Sequence, residues 1–170
     1  MRRPRNINSK EWDLMRKITL IAAAMAATTL ATPAMAQDEV NGEFRIEGRG
    51  GVIDGAGQTE AVAGVAAGYD FDLSETVFIG VEGSVDFVLA NGGNEVFGAT
   101  GRVGVHASEE AKLFAAGGRS FVGDGDDAWH LGAGVEYDVT DMVYLKAEYR
   151  HFFADFADAD SVVAGVGLKF

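Results

Sequence analysis

From Glu43 to Phe170 the chain repeats one pattern, in which apolar side chains alternate with small, polar or charged ones over runs of about ten residues. Alternate side chains of a strand point to opposite faces, so each run reads as a two-faced β-strand, and no helical period is sustained anywhere in this part of the chain. Stretches rich in Gly, Asp, Ser and Asn separate the runs. The expected strands are 43–53, 60–71, 76–87, 96–107, 112–122, 128–139, 143–153 and 161–170, about eight in all. Segment 54–59 reads as a loop by composition.

The two faces differ sharply in chemistry. In the first run Phe44, Ile46 and Val52 oppose Glu43, Arg45, Glu47 and Arg49; in the third, Val77, Ile79, Val81, Val85 and Phe87 oppose Phe78, Glu82, Ser84 and Asp86. The fourth sets Phe97 and Val103 against Arg102 and His106. The sixth sets Trp129, Leu131, Val135 and Tyr137 against His130, Glu136 and Asp138, and the seventh Leu145, Tyr149 and Phe153 against Lys146, Glu148 and Arg150. The fifth run leaves its facing open, because Arg119 falls in the same parity as Leu113 and Phe121.

A soluble barrel with an apolar interior shows the same alternation. Two details favour the inverse arrangement, apolar outside. Glycines such as Gly64, Gly80, Gly104, Gly132, Gly134, Gly165 and Gly167 are interleaved with the charges, which suits a narrow interior and would weaken a strand on an open wet surface. The apolar-face aromatics fall at strand ends: Phe44, Tyr69, Phe71, Tyr137 and Phe170 toward one rim, Phe87, Phe97, Trp129 and Phe153 toward the other. Two aromatic belts separated by Ala and Val are what two water–lipid interfaces select. Closure follows, since an open sheet edge in hydrocarbon leaves backbone donors and acceptors unpaired. The expected fold is an all-β, closed antiparallel up-and-down transmembrane barrel.

Upstream, Arg16-Lys17, the apolar run 18–30 and Ala34-Met35-Ala36 have the order of a secretory signal peptide, with cleavage expected before Gln37. The domains expected are therefore 1–36, an upstream stretch plus signal peptide, and 37–170, the barrel. The polar stretch before the second methionine makes Met15 an alternative start. No cysteine occurs, which excludes disulfides, thiolate catalysis and thiolate metal sites. From Gln37 onward eight basic residues stand against 24 acidic ones, a net charge of −16, and that balance argues against nucleic acid as a partner.

Tyr69-Asp70-Phe71-Asp72-Leu73-Ser74, Ala147-Glu148-Tyr149-Arg150 and the terminal Phe170 resemble the small eight-stranded outer-membrane barrels, namely the opacity-type porin family and the transmembrane domain of outer-membrane protein A. The resemblance implies residence in the Gram-negative outer membrane with both termini periplasmic and four loops outside. It implies lipid and lipopolysaccharide around the barrel, and Phe170 as the signal read by the barrel-assembly machinery. A tethering role through a periplasmic peptidoglycan-binding domain is not expected.

Arg45, Glu47, Arg49, Glu82, Arg102, Glu136, Lys146, Glu148 and Arg150 share the charged face. An eight-stranded barrel is just wide enough to be filled by side chains, so a lumen plugged by ion pairs is favoured over a gated ion path. Asp124, Asp126 and Asp127, and the acidic segment 155–160, have oxygens enough for Ca²⁺ or Mg²⁺, but they do not match the EF-hand spacing, and a solvated acidic surface is the simpler reading. No serine lies near His130 in sequence, which argues against hydrolase chemistry. No cofactor and no enzymatic activity are expected. The leading function is envelope integrity or surface interaction, with a small porin-like channel as the alternative; the oligomeric state is not legible.

Overall fold

The computed structural model describes residues 42–90, 93–122, 127–153 and 158–170; the expected signal peptide, its cleavage point, Asp124 and Asp126 lie outside them. Eight strands follow in order: β1 (Gly42–Gly55), β2 (Gln58–Asp72), β3 (Val77–Val88), β4 (Glu95–His106), β5 (Ala111–Val122), β6 (Asp127–Asp138), β7 (Val143–Phe153) and β8 (Ala159–Lys169). Each pairs antiparallel with the next, and β8 returns to β1 to close a barrel. The closing seam runs from Gly55 opposite Ala159 to Arg45 opposite Lys169. Phe170 extends it: its N–H donates to the Phe44 carbonyl at 2.8 Å and its carbonyl accepts from the Phe44 N–H at 3.1 Å.

The turns at the end carrying the described termini share one local chemistry. Ser74 Oγ accepts the N–H groups of Thr76 and Val77 at 3.2 and 3.1 Å, Ser108 Oγ those of Glu110 and Ala111 at 3.3 and 3.1 Å, and Thr140 Oγ1 those of Met142 and Val143 at 3.3 and 3.0 Å. A hydroxyl capping two backbone donors makes a short, fixed reversal. At the opposite end β1 and β2 run further than composition predicts. Asp54 pairs with Thr59 and Gly55 with Gln58, so the expected six-residue loop is a two-residue turn. Ala56 and Gly57 both take positive φ, 53° and 77°, the geometry whose twist matches a hairpin, and Thr59 Oγ1 donates to Asp54 Oδ2 across it at 2.5 Å.

The outer wall is apolar: Val81, Val103, Leu113, Leu131, Leu145, Val162 and Val166 are all exposed. Arg119 settles the facing of β5. Leu113, Ala115 and Phe121 face outward with it, while Lys112, Phe114, Ala116 and Ser120 are buried inside.

Candidate functional site

Alternation sends one side chain in every two into the barrel, and the structure places all nine residues of the sequence-derived charge set there, buried: Arg45, Glu47, Arg49, Glu82, Arg102, Glu136, Lys146, Glu148 and Arg150. Asp70, Asp86 and Lys112 join them. Six cations thus face six carboxylates. Glu82 is the hub: its Oε2 lies 2.8 Å from Arg45 Nη1 and 3.4 Å from Lys146 Nζ, and its Oε1 lies 3.3 Å from Arg49 Nη1 and 3.6 Å from Arg150 Nη2. Every one of these cations holds a second carboxylate. Arg45 reaches Asp70 at 3.1 Å, Arg49 reaches Asp86 at 2.5 Å, Lys146 lies 2.5 Å from Glu47 and 3.2 Å from Glu148, and Arg150 reaches Glu148 at 2.5 Å. Arg102 forms a two-pronged pair with Glu136 at 2.8 and 2.9 Å, the geometry a planar guanidinium favours.

Glycines make room for this packing. Phe78 stands directly opposite Gly104, Phe114 opposite Gly134 and Tyr144 opposite Gly167, and each ring lies where the glycine's Cβ would be. The rings in turn hold cations: Arg102 Cζ is 4.2 Å from the Phe114 centroid and 5.1 Å from that of Phe78. Tyr144 Oη donates to Glu47 Oε2 at 3.1 Å. Toward the terminal end the network reaches a rim where Glu43 meets Lys112 at 2.8 Å and Lys169 at 3.3 Å, and Lys169 meets Asp138 at 2.6 Å.

Toward the other end hydroxyl and imidazole side chains join the charged network. Buried His130 lies 2.9 Å from Ser120 Oγ through Nδ1 and 3.0 Å from Thr100 Oγ1 through Nε2. Sequence distance hid this serine, because the hydrogen-bonding ladder sets Ser120 on β5 beside β6 and only the fold shows it. Each ring nitrogen has a hydroxyl within hydrogen-bond distance, so both are satisfied inside the barrel. Above it, Ile53, Val88, Val96, Val122, Phe152 and Val163 form an apolar cup of about 190 Å³.

The aromatics sit at the two rims. Phe44, Tyr69, Phe71, Tyr137 and Phe170 ring the terminal end, with the Phe44 and Phe170 centroids 6.3 Å apart. At the opposite rim Phe97 pairs with Phe121 and Trp129 with Phe153, a belt across β4 to β7. Phe121 was missed with the facing of its strand. Phe87 departs from the expected lipid contact: it is 7% exposed, against 62% for Trp129. Here β3 bends into its turn, where Val88 donates to the Asn94 carbonyl and Leu89 to that of Ala61, so this ring is packed within the protein. Arg119, outside the barrel, pairs with Asp127 at 2.8 Å and lies 5.3 Å from the Trp129 ring. A long cationic stem lying along a lipid-facing surface with its head at the rim is ordinary snorkelling. Among the described residues no group of three or more His, Asp or Glu side chains could hold a metal ion.

These features agree with the relatives the chain resembles. Residues 21–170 match the family described as outer membrane protein beta-barrel domain. No curated protein matches the sequence. Among solved structures, a de novo designed transmembrane β-barrel is 18% identical with a TM-score of 0.53, over 80% of this chain and 100% of that one. Ail, the attachment invasion locus protein of Yersinia pestis, is 12% identical with a TM-score of 0.56, over 76% and 99%. The N-terminal β-barrel domain of Pseudomonas aeruginosa OprF is 13% identical with a TM-score of 0.56, over 75% and 97%. At such identities the likeness is one of fold. With the family match spanning all eight strands of the closed barrel, the chain belongs to the outer membrane protein beta-barrel domain family and resides in the cell outer membrane.

Proposed function

We infer that the protein is a non-enzymatic, non-conducting structural element of the outer membrane, oriented with both termini in the periplasm. The observation that carries this is the charge-balanced interior centred on Glu82, in which four cations converge on one carboxylate and each holds another. A solute path would need hydrated, separable charges; here opposite charges lie in contact, and the cup at the end opposite the termini is lined mostly by apolar side chains. A role in envelope integrity is favoured over attachment to a surface partner. The β1–β2 hairpin turns in two residues, and the fold is matched over the whole length of a designed barrel, so the wall itself makes up most of the molecule.

The test is a deletion strain. Loss of the protein is expected to raise entry of a large hydrophobic dye and sensitivity to detergent, with full restoration by the wild-type chain. A strain whose dye entry is unchanged but whose uptake of small hydrophilic solutes slows would show a pore instead.

A further inference from the structure

The structural reading gives no task to the apolar cup, and its construction is specific. Nothing in the packing of a plug requires six inward-facing positions from β1, β3, β4, β5, β7 and β8 to be apolar around a space of about 190 Å³. That space exceeds the roughly 150 Å³ of an engineered apolar cavity known to accept benzene. Its floor is polar. Arg49, Asp86, Ser120, Arg150 and Ser161 line it, and Arg150 and Ser161 are directly opposed neighbours on β7 and β8.

Two of those groups have hydrogen-bonding capacity left over. Ser161 is 6% exposed, and its Oγ enters no hydrogen bond among the described residues. Arg150 spends Nε and Nη2 on Glu148 and leaves Nη1 without such a bond. The charges that line the cup are already matched, Arg49 by Asp86 and Arg150 by Glu148, so an ionic ligand would bring a charge with no counter-charge to meet it. An oxygen that accepts from Arg150 Nη1 and exchanges a bond with Ser161 Oγ meets no such penalty.

We propose that the cup is a binding site for a small neutral molecule, an apolar body of about one aromatic ring carrying one hydroxyl or carbonyl oxygen, which enters at the rim opposite the termini. The inference goes beyond the structural role and stands independently of it, since a barrel that does not conduct can still hold a ligand in a blind cup.

The test uses the full-length mature chain in lipid nanodiscs with isotope-labelled valine methyls, titrated with benzyl alcohol, toluene and benzoate. Val88, Val96, Val122 and Val163 report the cup; Val81 and Val166 face the lipid and report partitioning into the bilayer. The expected result is saturable shifts confined to the cup methyls, with benzyl alcohol binding at least about fivefold more tightly than toluene for its added hydrogen bonds to Arg150 and Ser161, and benzoate weakest. Ser161→Ala should bring benzyl alcohol part of the way toward the toluene affinity, since the bond from Arg150 Nη1 remains, and Val96→Trp should abolish saturation by filling the space. Linear shifts of equal size at Val81 and Val166, or benzoate binding most tightly, would overturn the proposal, and the wild-type titration alone decides this if a variant fails to fold.

Discussion

Replacing Glu82 by Gln is the most informative single change to the interior. The substitution keeps the shape but removes the one carboxylate shared by Arg45, Arg49, Lys146 and Arg150, so six interior cations would face five carboxylates. Each cation keeps its second partner, and the loss is therefore less than four full pairs. Breaking a buried pair by removing one member costs about 3 to 5 kcal/mol, and the variant is expected within that range. Lys146→Met, which leaves Glu47 and Glu148 short of a cation, should cost a similar amount. The double variant restores the balance of charge, and its loss should fall short of the sum of the two by at least about 2 kcal/mol. Reversible urea unfolding in a thin bilayer measures all four proteins. Losses under 1 kcal/mol, or strict additivity, would mean that water screens these charges and that the interior is not a packed network.

Val81→Arg and Ala133→Arg put a charge on the lipid-facing wall and should each cost about 2 to 4 kcal/mol in the same assay, without opening any leak. Gly134→Val occupies the place of the Phe114 ring and should destabilise by about 1 to 3 kcal/mol through overpacking; an unchanged midpoint would show that the ring has room to move. Deleting Phe170 should lower outer-membrane yield far more than the stability of refolded protein, where one interfacial ring and its pairing with Phe44 amount to about 1 or 2 kcal/mol; equal losses in both would make it a packing residue alone. N-terminal sequencing of protein extracted from envelopes should return Gln37 as the first residue, and recovery of Met1 or Met15 would contradict cleavage after Ala36.

The strands and their facing are legible because period 2 is a local property, and seven of the eight runs keep charge and hydrocarbon on separate faces. β5 is ambiguous for a physical reason: an arginine near a strand end can lie on the lipid side if its head reaches the rim, and parity alone cannot tell this from a lumen charge. Asp127 and Trp129, which fix Arg119 there, come from the next strand. The same limit hides the His130–Ser120 contact and the hub position of Glu82, since both depend on the register between strands. The loop expected at 54–59 fails differently. Its Gly and Asp are poor strand formers, yet a turn with two positive φ values needs only Ala56 and Gly57, and the neighbouring residues pair. The burial of Phe87 likewise depends on how the chain bends after β3.

A filled lumen is tested most directly by conductance. Protein purified from outer membranes and inserted singly into planar bilayers should show no steady current at either polarity, and Glu82→Gln should show, at most, brief irregular openings. A stable, ohmic conductance from the wild-type protein would contradict the ion-pair plug and establish the interior as an open aqueous path.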